Sequence, residues 1–189
     1  MNKYLKLNLG CGQNHIAGFI NVDKYGNPEM FCDLENFPWP WEDSSAEEIL
    51  LVHVLEHLGE KTDVYINIMK ELYRICRHNA VVRITVPHPR HDDFINDPTH
   101  VRIITPEGLK LFSKKENIEW AKNSYANSPL GLYHNIDFDI IEMIYDLDEP
   151  WHSKYRNKEL TDTEIIQAVR QFNNVVKQIR LTMRVIKGI

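Results

Sequence analysis

Lys6-Leu-Asn-Leu-Gly-Cys-Gly12, with Phe19-Ile-Asn-Val-Asp23 close behind it, constrains this chain more than any other stretch. An apolar run that stops at a glycine turn reads as a buried strand and a tight bend. The second run reads as a neighbouring strand that ends in a carboxylate. Gly10 and Gly12 lack a Cβ, so the backbone can bend sharply there and a ligand can come close to its N–H groups. Asp23 would stand at the carboxyl end of the adjacent strand, where the hydroxyls of a ribose can donate to it. Together these features predict a cradle for a nucleoside-bearing cofactor.

A dinucleotide cradle would put a third glycine at position 15 and an acidic residue about 20 positions further on, with a helix between. Position 15 is His15, and Asp23 lies eleven positions past Gly12. Another order is present instead: Leu-Asn-Leu-Gly-Cys-Gly, then Asn-Val-Asp, then Cys32-Asp-Leu34, then His53-Val-Leu-Glu-His-Leu58. That order resembles the class I S-adenosylmethionine-dependent methyltransferases, and among them the methyltransferase type 11 group, over roughly residues 4 to 113.

The resemblance implies S-adenosylmethionine as cofactor and methyl transfer to an acceptor that these residues do not identify. It implies that Gly10, Cys11 and Gly12 contact the methionine portion through the backbone and that Asp23 accepts from the ribose. Asp33, with the backbone of Leu34, would read the adenine amino group, and His53 would line the methyl-bearing side. The chain departs from the family pattern twice. Asn8 stands where many members carry an acidic residue, and only Gln13 to Gly18 occupy the place of the first crossover helix.

The rest of the chain supports an α/β reading. Met30-Phe-Cys-Asp-Leu34 suits an edge strand, while Phe37-Pro-Trp-Pro-Trp41 is too rich in proline for regular structure. The tryptophans there would cover either the adenine or the sheet edge. Ile49-Leu-Leu-Val52 is unbroken apolar sequence, as in a parallel strand buried on both faces. Tyr65, Ile68, Met69, Leu72 and Cys76 recur at helical spacing, and Val81 to Val86 forms the next strand, stopped by Pro87 and Pro89.

Thr105-Pro106 is a cap and first residue of a further helix. Past a polar loop, Phe138 to Tyr145 alternates loosely as a sixth strand. Thr161-Asp-Thr-Glu164 is a capping box before a helix with Ile165, Ile166, Val169, Phe172, Val175 and Val176 on one face. Ile179, Leu181, Met183 and Val185 alternate with polar residues as a final strand, although Lys177, Arg180, Arg184 and Lys187 would also line a helix. The expected architecture is a doubly wound, mostly parallel seven-stranded sheet with helices on both faces and one antiparallel strand near the C-terminus, as a single domain over residues 1–189.

Composition limits function without naming it. A net charge of −5 argues against binding nucleic acid chiefly by neutralising phosphates, and leaves room for a local basic patch. Cys11, Cys32 and Cys76 are widely spaced and form no Cys-Xaa-Xaa-Cys pair, which fits a reducing cytoplasm. No apolar run approaches the length of a membrane span or a signal peptide.

Two histidine clusters carry possible chemistry. His53-Val-Leu-Glu56-His57 matches the pattern of inverted zinc peptidases, which requires one helix through both histidines. The strand running into it and Gly59 behind it oppose that geometry, so no metal site is assigned. His88, His91, Asp92, Asp93, Asp97 and His100 leave the carboxyl edge of the sheet, where open parallel sheets bind ligands. They can serve as acid–base groups, as metal ligands, or as a hydrogen-bonded polar loop. His91 and His100 are the expected acceptor-side bases of a methyltransferase. The competing reading is a cofactor-binding or scaffold protein of the same fold that does no catalysis.

Overall fold

The computed structural model of the chain describes residues 4–188; residues 1–3 and 189 of the expected domain lie outside the described residues. Seven strands form one sheet: β1 (Leu5–Leu9), β2 (Ile20–Asp23), β3 (Met30–Phe31), β4 (Ala46–Val52), β5 (Cys76–Pro87), β6 (Phe138–Leu147) and β7 (Val176–Val185). Their order across the sheet is β3-β2-β1-β4-β5-β7-β6. Strands β1 to β5 pair in parallel, and β7 runs antiparallel to both β5 and β6. The chain is therefore an α/β protein with a mostly parallel sheet and a single reversed strand, as its sequence led us to expect. The alternation from Ile179 to Val185 is a strand, not a helix.

Helices are spread unevenly along the chain. Among the described residues none precedes β4, so Gln13–Gly18 is a loop. The α-helices are α1 (Thr62–Ile75), α2 (Asp92–Ile95), α3 (Pro106–Lys110), α4 (Lys114–Lys122), α5 (Leu130–His134), α6 (Trp151–Arg156) and α7 (Asp162–Gln171). Helix α1 buries Tyr65, Ile68, Met69 and Leu72, which its period places on one stripe. It passes directly into β5 at Cys76, whose thiol is pushed up to about 12 by burial. Helix α3 starts at Thr105, whose side chain accepts from the Gly108 N–H.

The core lies on one face of the sheet, where Leu7, Ile49, Val82 and Leu181 are buried. The opposite face carries a connected row of polar side chains. Lys6 Nζ is 2.9 Å from Glu48 Oε2, and Arg83 Nε is 3.1 Å from Glu48 Oε1. Arg83 Nη1 donates to Thr182 Oγ1 at 3.3 Å, and Thr182 donates to Glu142 at 2.9 Å. This corrects one expectation. Ile49 and Leu51 are buried, but Leu50 and Val52 are only half-buried, because the connections before β4 contribute no helix to cover their side.

The tryptophan-rich stretch packs as structure. Trp39 and Trp41 are buried edge to face at 6.0 Å, and the Trp39 indole donates to Leu34 O. The Trp39 backbone donates to Glu71 of α1, and Arg74 donates to the carbonyls of Trp39 and Trp41. The capping box at Thr161 is present, yet α7 buries only Ala168. Ile166 and Phe172 are 54% and 52% exposed, and Val175 and Val176, expected on the same helical face, are buried beyond the end of α7, Val176 as the first residue of β7, so the helix itself has no apolar core face. Phe172 stacks instead on Trp151. No helix of the described residues is long and apolar enough to cross a membrane.

Candidate functional site

The carboxyl ends of β1, β2 and β4 open onto one cavity of about 440 Å³. Gly10 and Gly12 both hold positive φ, +68° and +51°, a region that costs an ordinary residue strain. A Cβ at Gly10 would lie 2.5 Å from Val54 Cγ2, so the absence of a side chain lets β1 turn against the segment after β4. A Cβ at Gly12 would meet nothing within 4 Å and would point into open space beside Asp23.

Asp23 fastens this turn. Its Oδ2 accepts from the Gly12 N–H at 2.8 Å and its Oδ1 from the Tyr25 N–H at 3.0 Å, leaving each oxygen a further lone pair. Cys11 is buried, its N–H donates to Val22 O, and burial pushes its thiol up, with the Asp23 charge adding to the effect. Asn8 does not face the cavity. Its amide donates to Asn21 Oδ1 and Asn14 O, which ties the 13–18 loop to the sheet. Asp33 accepts from the Glu35 N–H at 3.0 Å and lies 3.8 Å from Lys24 Nζ.

Of the seven residues expected to hold a cofactor, Gly10, Asp23, Asp33, Leu34 and His53 line this cavity. Cys11 and Gly12 do not. Gly12 borders the adjoining depression with Asp23 and Tyr25. The far wall is His53, Val54, His57, Leu58 and Thr99. His57 was visible in the sequence only as part of the peptidase pattern, and nothing in the sequence singled out Thr99.

The 53–59 turn does not form a zinc-peptidase helix. Only Leu55–His57 makes a single 3-10 turn, and His53 precedes it with φ +54°. The two histidines therefore share no helical face. His53 Nε2 is 3.1 Å from Gln178 Oε1, and its Nδ1 is 3.5 Å from Glu56 Oε1. The Glu56 carboxylate raises the His53 pKa above its ordinary value, against the opposing pull of burial.

The segment from His88 to Arg102 divides in two. Its first half is bound to the far strands and α7: Arg90 donates to Val169 O and Arg170 O, and the Asp92 N–H to Asn174 Oδ1. His91 is buried, accepts from the Asp93 N–H at Nδ1 as the cap of α2, and meets Asp148 Oδ2 through Nε2 at 3.0 Å. Both ring nitrogens are thus engaged, and His91 does not line the cavity. Burial lowers the His88 pKa, and its Nδ1 accepts from the Arg90 N–H. The second half packs on the 53–59 turn. The Val101 and Arg102 N–H groups donate to Glu56 O, and Arg102 Nε donates to Gly59 O at 2.9 Å. This half carries Thr99 to the cavity wall, whereas His100, the second expected acceptor-side base, packs against His57 and is not part of the lining.

No family model and no curated protein sequence matches the chain. Solved structures do. A SAM-dependent methyltransferase from Archaeoglobus fulgidus superposes with a TM-score of 0.58 at 15% identity, over 96% of this chain and 86% of that one. One from Methanosarcina mazei gives 0.57 at 11% identity, over 100% and 95%. One from Thermotoga maritima gives 0.54 at 14% identity, over 98% and 83%.

The chain has the class I methyltransferase fold. Its cavity has the volume expected of a small-molecule site, roughly 300 to 1,000 Å³. The chemistry of its lining also fits a nucleoside: carboxylates at Asp23 and Asp33, a bare glycine backbone at Gly10, and apolar Leu34, Val54 and Leu58. Among the described residues no helix lies between β1 and β2, and the turn at Gly10–Gly12 leads into a loop beside the Asp23 carboxylate.

Proposed function

We propose that the chain is an S-adenosylmethionine-dependent methyltransferase acting on an acceptor not yet identified. One observation carries this reading: Gly10, Asp23, Asp33, Leu34 and His53, drawn from four separate segments, converge on one cavity at the carboxyl edge of the sheet. Asp23 would receive the ribose hydroxyls on its free lone pairs, and Asp33 with Leu34 would hold the adenine. Gly10 and Gly12 would admit the methionine end close to their backbone.

When bound, the cofactor supplies a methyl group on a positively charged sulfur, open to in-line displacement. The chain's own part is alignment and exclusion of water. Orientation alone is worth roughly 7 to 11 kcal/mol in the best intramolecular cases. His53, His57 and Thr99 form the polar part of the wall against which an acceptor would lie.

Calorimetry with S-adenosylhomocysteine tests the reading. Saturable binding is expected, NAD should not compete, and Asp23→Ala should weaken affinity by up to about 1.5–3 kcal/mol per lost charge-assisted bond. Equal affinity in parent and variant would remove Asp23 from the site. Binding without turnover of any acceptor in a broad panel would favour the scaffold reading over the catalytic one.

A further inference from the structure

Glu56 is the most unusual polar group in the described chain. It is 1% exposed, and neither carboxylate oxygen has a hydrogen-bond partner. An ionised carboxylate taken out of water without compensation is costly, so such a group calls for a counter-charge. His53 Nδ1, 3.5 Å away, is within ion-pair range but not in hydrogen-bond geometry. Ligand atoms of Glu56, His57 and His100 all lie within 4.8 Å of one another.

The hydrogen bonds around these histidines decide which nitrogen faces the cluster. Thr99 Oγ1 gives its only proton to Asp97 Oδ1 at 2.6 Å, so it can only accept from His57 Nδ1 at 2.9 Å. His100 Nδ1 lies 2.9 Å from the Phe94 carbonyl, which can only accept, and the Phe94 ring stacks on His100 at 5.2 Å. Each Nδ1 is thus a donor, and each neutral ring keeps its Nε2 lone pair. A ligating histidine is held this way, its other N–H committed to an oxygen.

His53 stands beside this group without joining it. Gln178 donates its amide to Asp146, so its Oε1 accepts from His53 Nε2, and Nδ1 lies 3.5 Å from Glu56 Oε1.

We propose that Glu56, His57 and His100 form a binding site for a divalent first-row transition ion. Two imidazoles and one carboxylate are a donor set for Zn2+, Fe2+, Co2+ or Mn2+, and they leave coordination positions open. His57, the one of the three that lines the cofactor cavity, would set the ion at the wall of that cavity. This second step rests on the methyltransferase reading: an oxygen acceptor, such as a hydroxyl, would bind the ion and lose its proton to solvent more readily there. Its lone pair would then form the new O–CH3 bond of the S-adenosylmethionine reaction as the S–CH3 bond breaks, the bonding pair returning to sulfur. The site joins two motifs that are separate in the sequence and uses neither as a peptidase would.

The test uses the full chain stripped with chelator and titrated separately with Co2+, Zn2+ and Mn2+ by calorimetry, with the visible spectrum of Co2+ as a second readout. One ion per chain should bind in the micromolar range or tighter and raise Tm. Glu56→Gln and His100→Gln should each weaken binding at least 100-fold, while His152→Ala, an exposed histidine elsewhere, should not. No saturable binding of any of the three ions up to 1 mM would overturn the site. So would unchanged affinity in both ligand variants. Should both fail to fold, His57→Gln decides: it removes the remaining ligand and should cost at least 100-fold, and unchanged affinity would refute the site. S-adenosylhomocysteine binding to the metal-free chain, measured in the same instrument, tests the cofactor reading by itself.

Discussion

The two rims of the cavity are built on different principles. On the rim from Gly10 to Asp33, backbone geometry comes first: two glycines at positive φ and carboxylates that collect backbone N–H groups at 2.8 and 3.0 Å. On the rim from His53 to Leu58 and Asp97 to Arg102, side chains from two distant segments meet, and histidines oriented by a threonine, a carbonyl and a glutamine surround a buried carboxylate. A rim made by backbone constrains residue type locally. A rim made by assembly depends on where the rest of the fold puts its parts.

The sharpest break in this contrast should come at the glycines. Gly10→Val would force a branched side chain into Val54, with its Cβ 2.5 Å from Val54 Cγ2, and would also add backbone strain. It should lose several kcal/mol of stability together with cofactor binding. Gly12→Val finds open space and should cost only about 1–3 kcal/mol of strain. Its binding should fall further than its stability. Chemical denaturation beside calorimetry separates the two, and equal losses of stability would show that the contact with Val54 is unimportant.

His91, which lies outside the other rim, sharpens the comparison. His91→Ala removes a helix cap and a buried bond to Asp148, so it should destabilise the fold by about 1–3 kcal/mol. It should leave S-adenosylhomocysteine affinity within about twofold. A large loss of affinity in a variant that still melts cooperatively would return His91 to the site.

The smallest effect concerns acid. The hydrogen bond from His91, and then that from the Glu149 N–H, hold the Asp148 carboxyl below its ordinary value. A lowered folded-state value means stability that is present above the unfolded value, about 3.9, and is lost as pH falls through the folded one. Asp148→Asn keeps an acceptor for His91 but removes the charge. The parent should therefore be the more stable protein at pH 7, and the gap should narrow as the pH falls below about 4. Urea titrations at pH 7 and pH 3 that give the same gap would count against this hydrogen bond to the carboxylate.

These differences also explain what could be read from the sequence alone. Gly10, Asp23 and Asp33 were legible because a tight turn and a strand-end carboxylate leave local traces. The alternation from Ile179 to Val185 and the capping box at Thr161 were legible for the same reason. Helices α4 and α5 were not, and they read as polar loop. Helix α4 buries only Asn117, and its support is the Ser113 cap and the Asn117 side chain, which donates to Leu111 O and accepts from the Leu132 N–H. No apolar period marks such a helix. Glu56 was visible only inside a peptidase pattern, because His100 lies 44 positions further on and reaches it through tertiary packing.

The outer strands have a consequence for how the protein behaves in a crowded solution. A sheet edge with a long, regular row of unpaired N–H and C=O groups is a template on which another chain can add a strand. Here one edge is β3, only two residues long. The other is β6, whose pairing with β7 shifts register twice, between Ile140 and Glu142 and between Asp146 and Leu147. Bulges of this kind twist an edge and break its repeat. The exposed Ile141 and Met143 of β6 thus sit on a strand whose backbone is poorly suited to extension, and aggregation through either side of the sheet is disfavoured by shape as well as by charge.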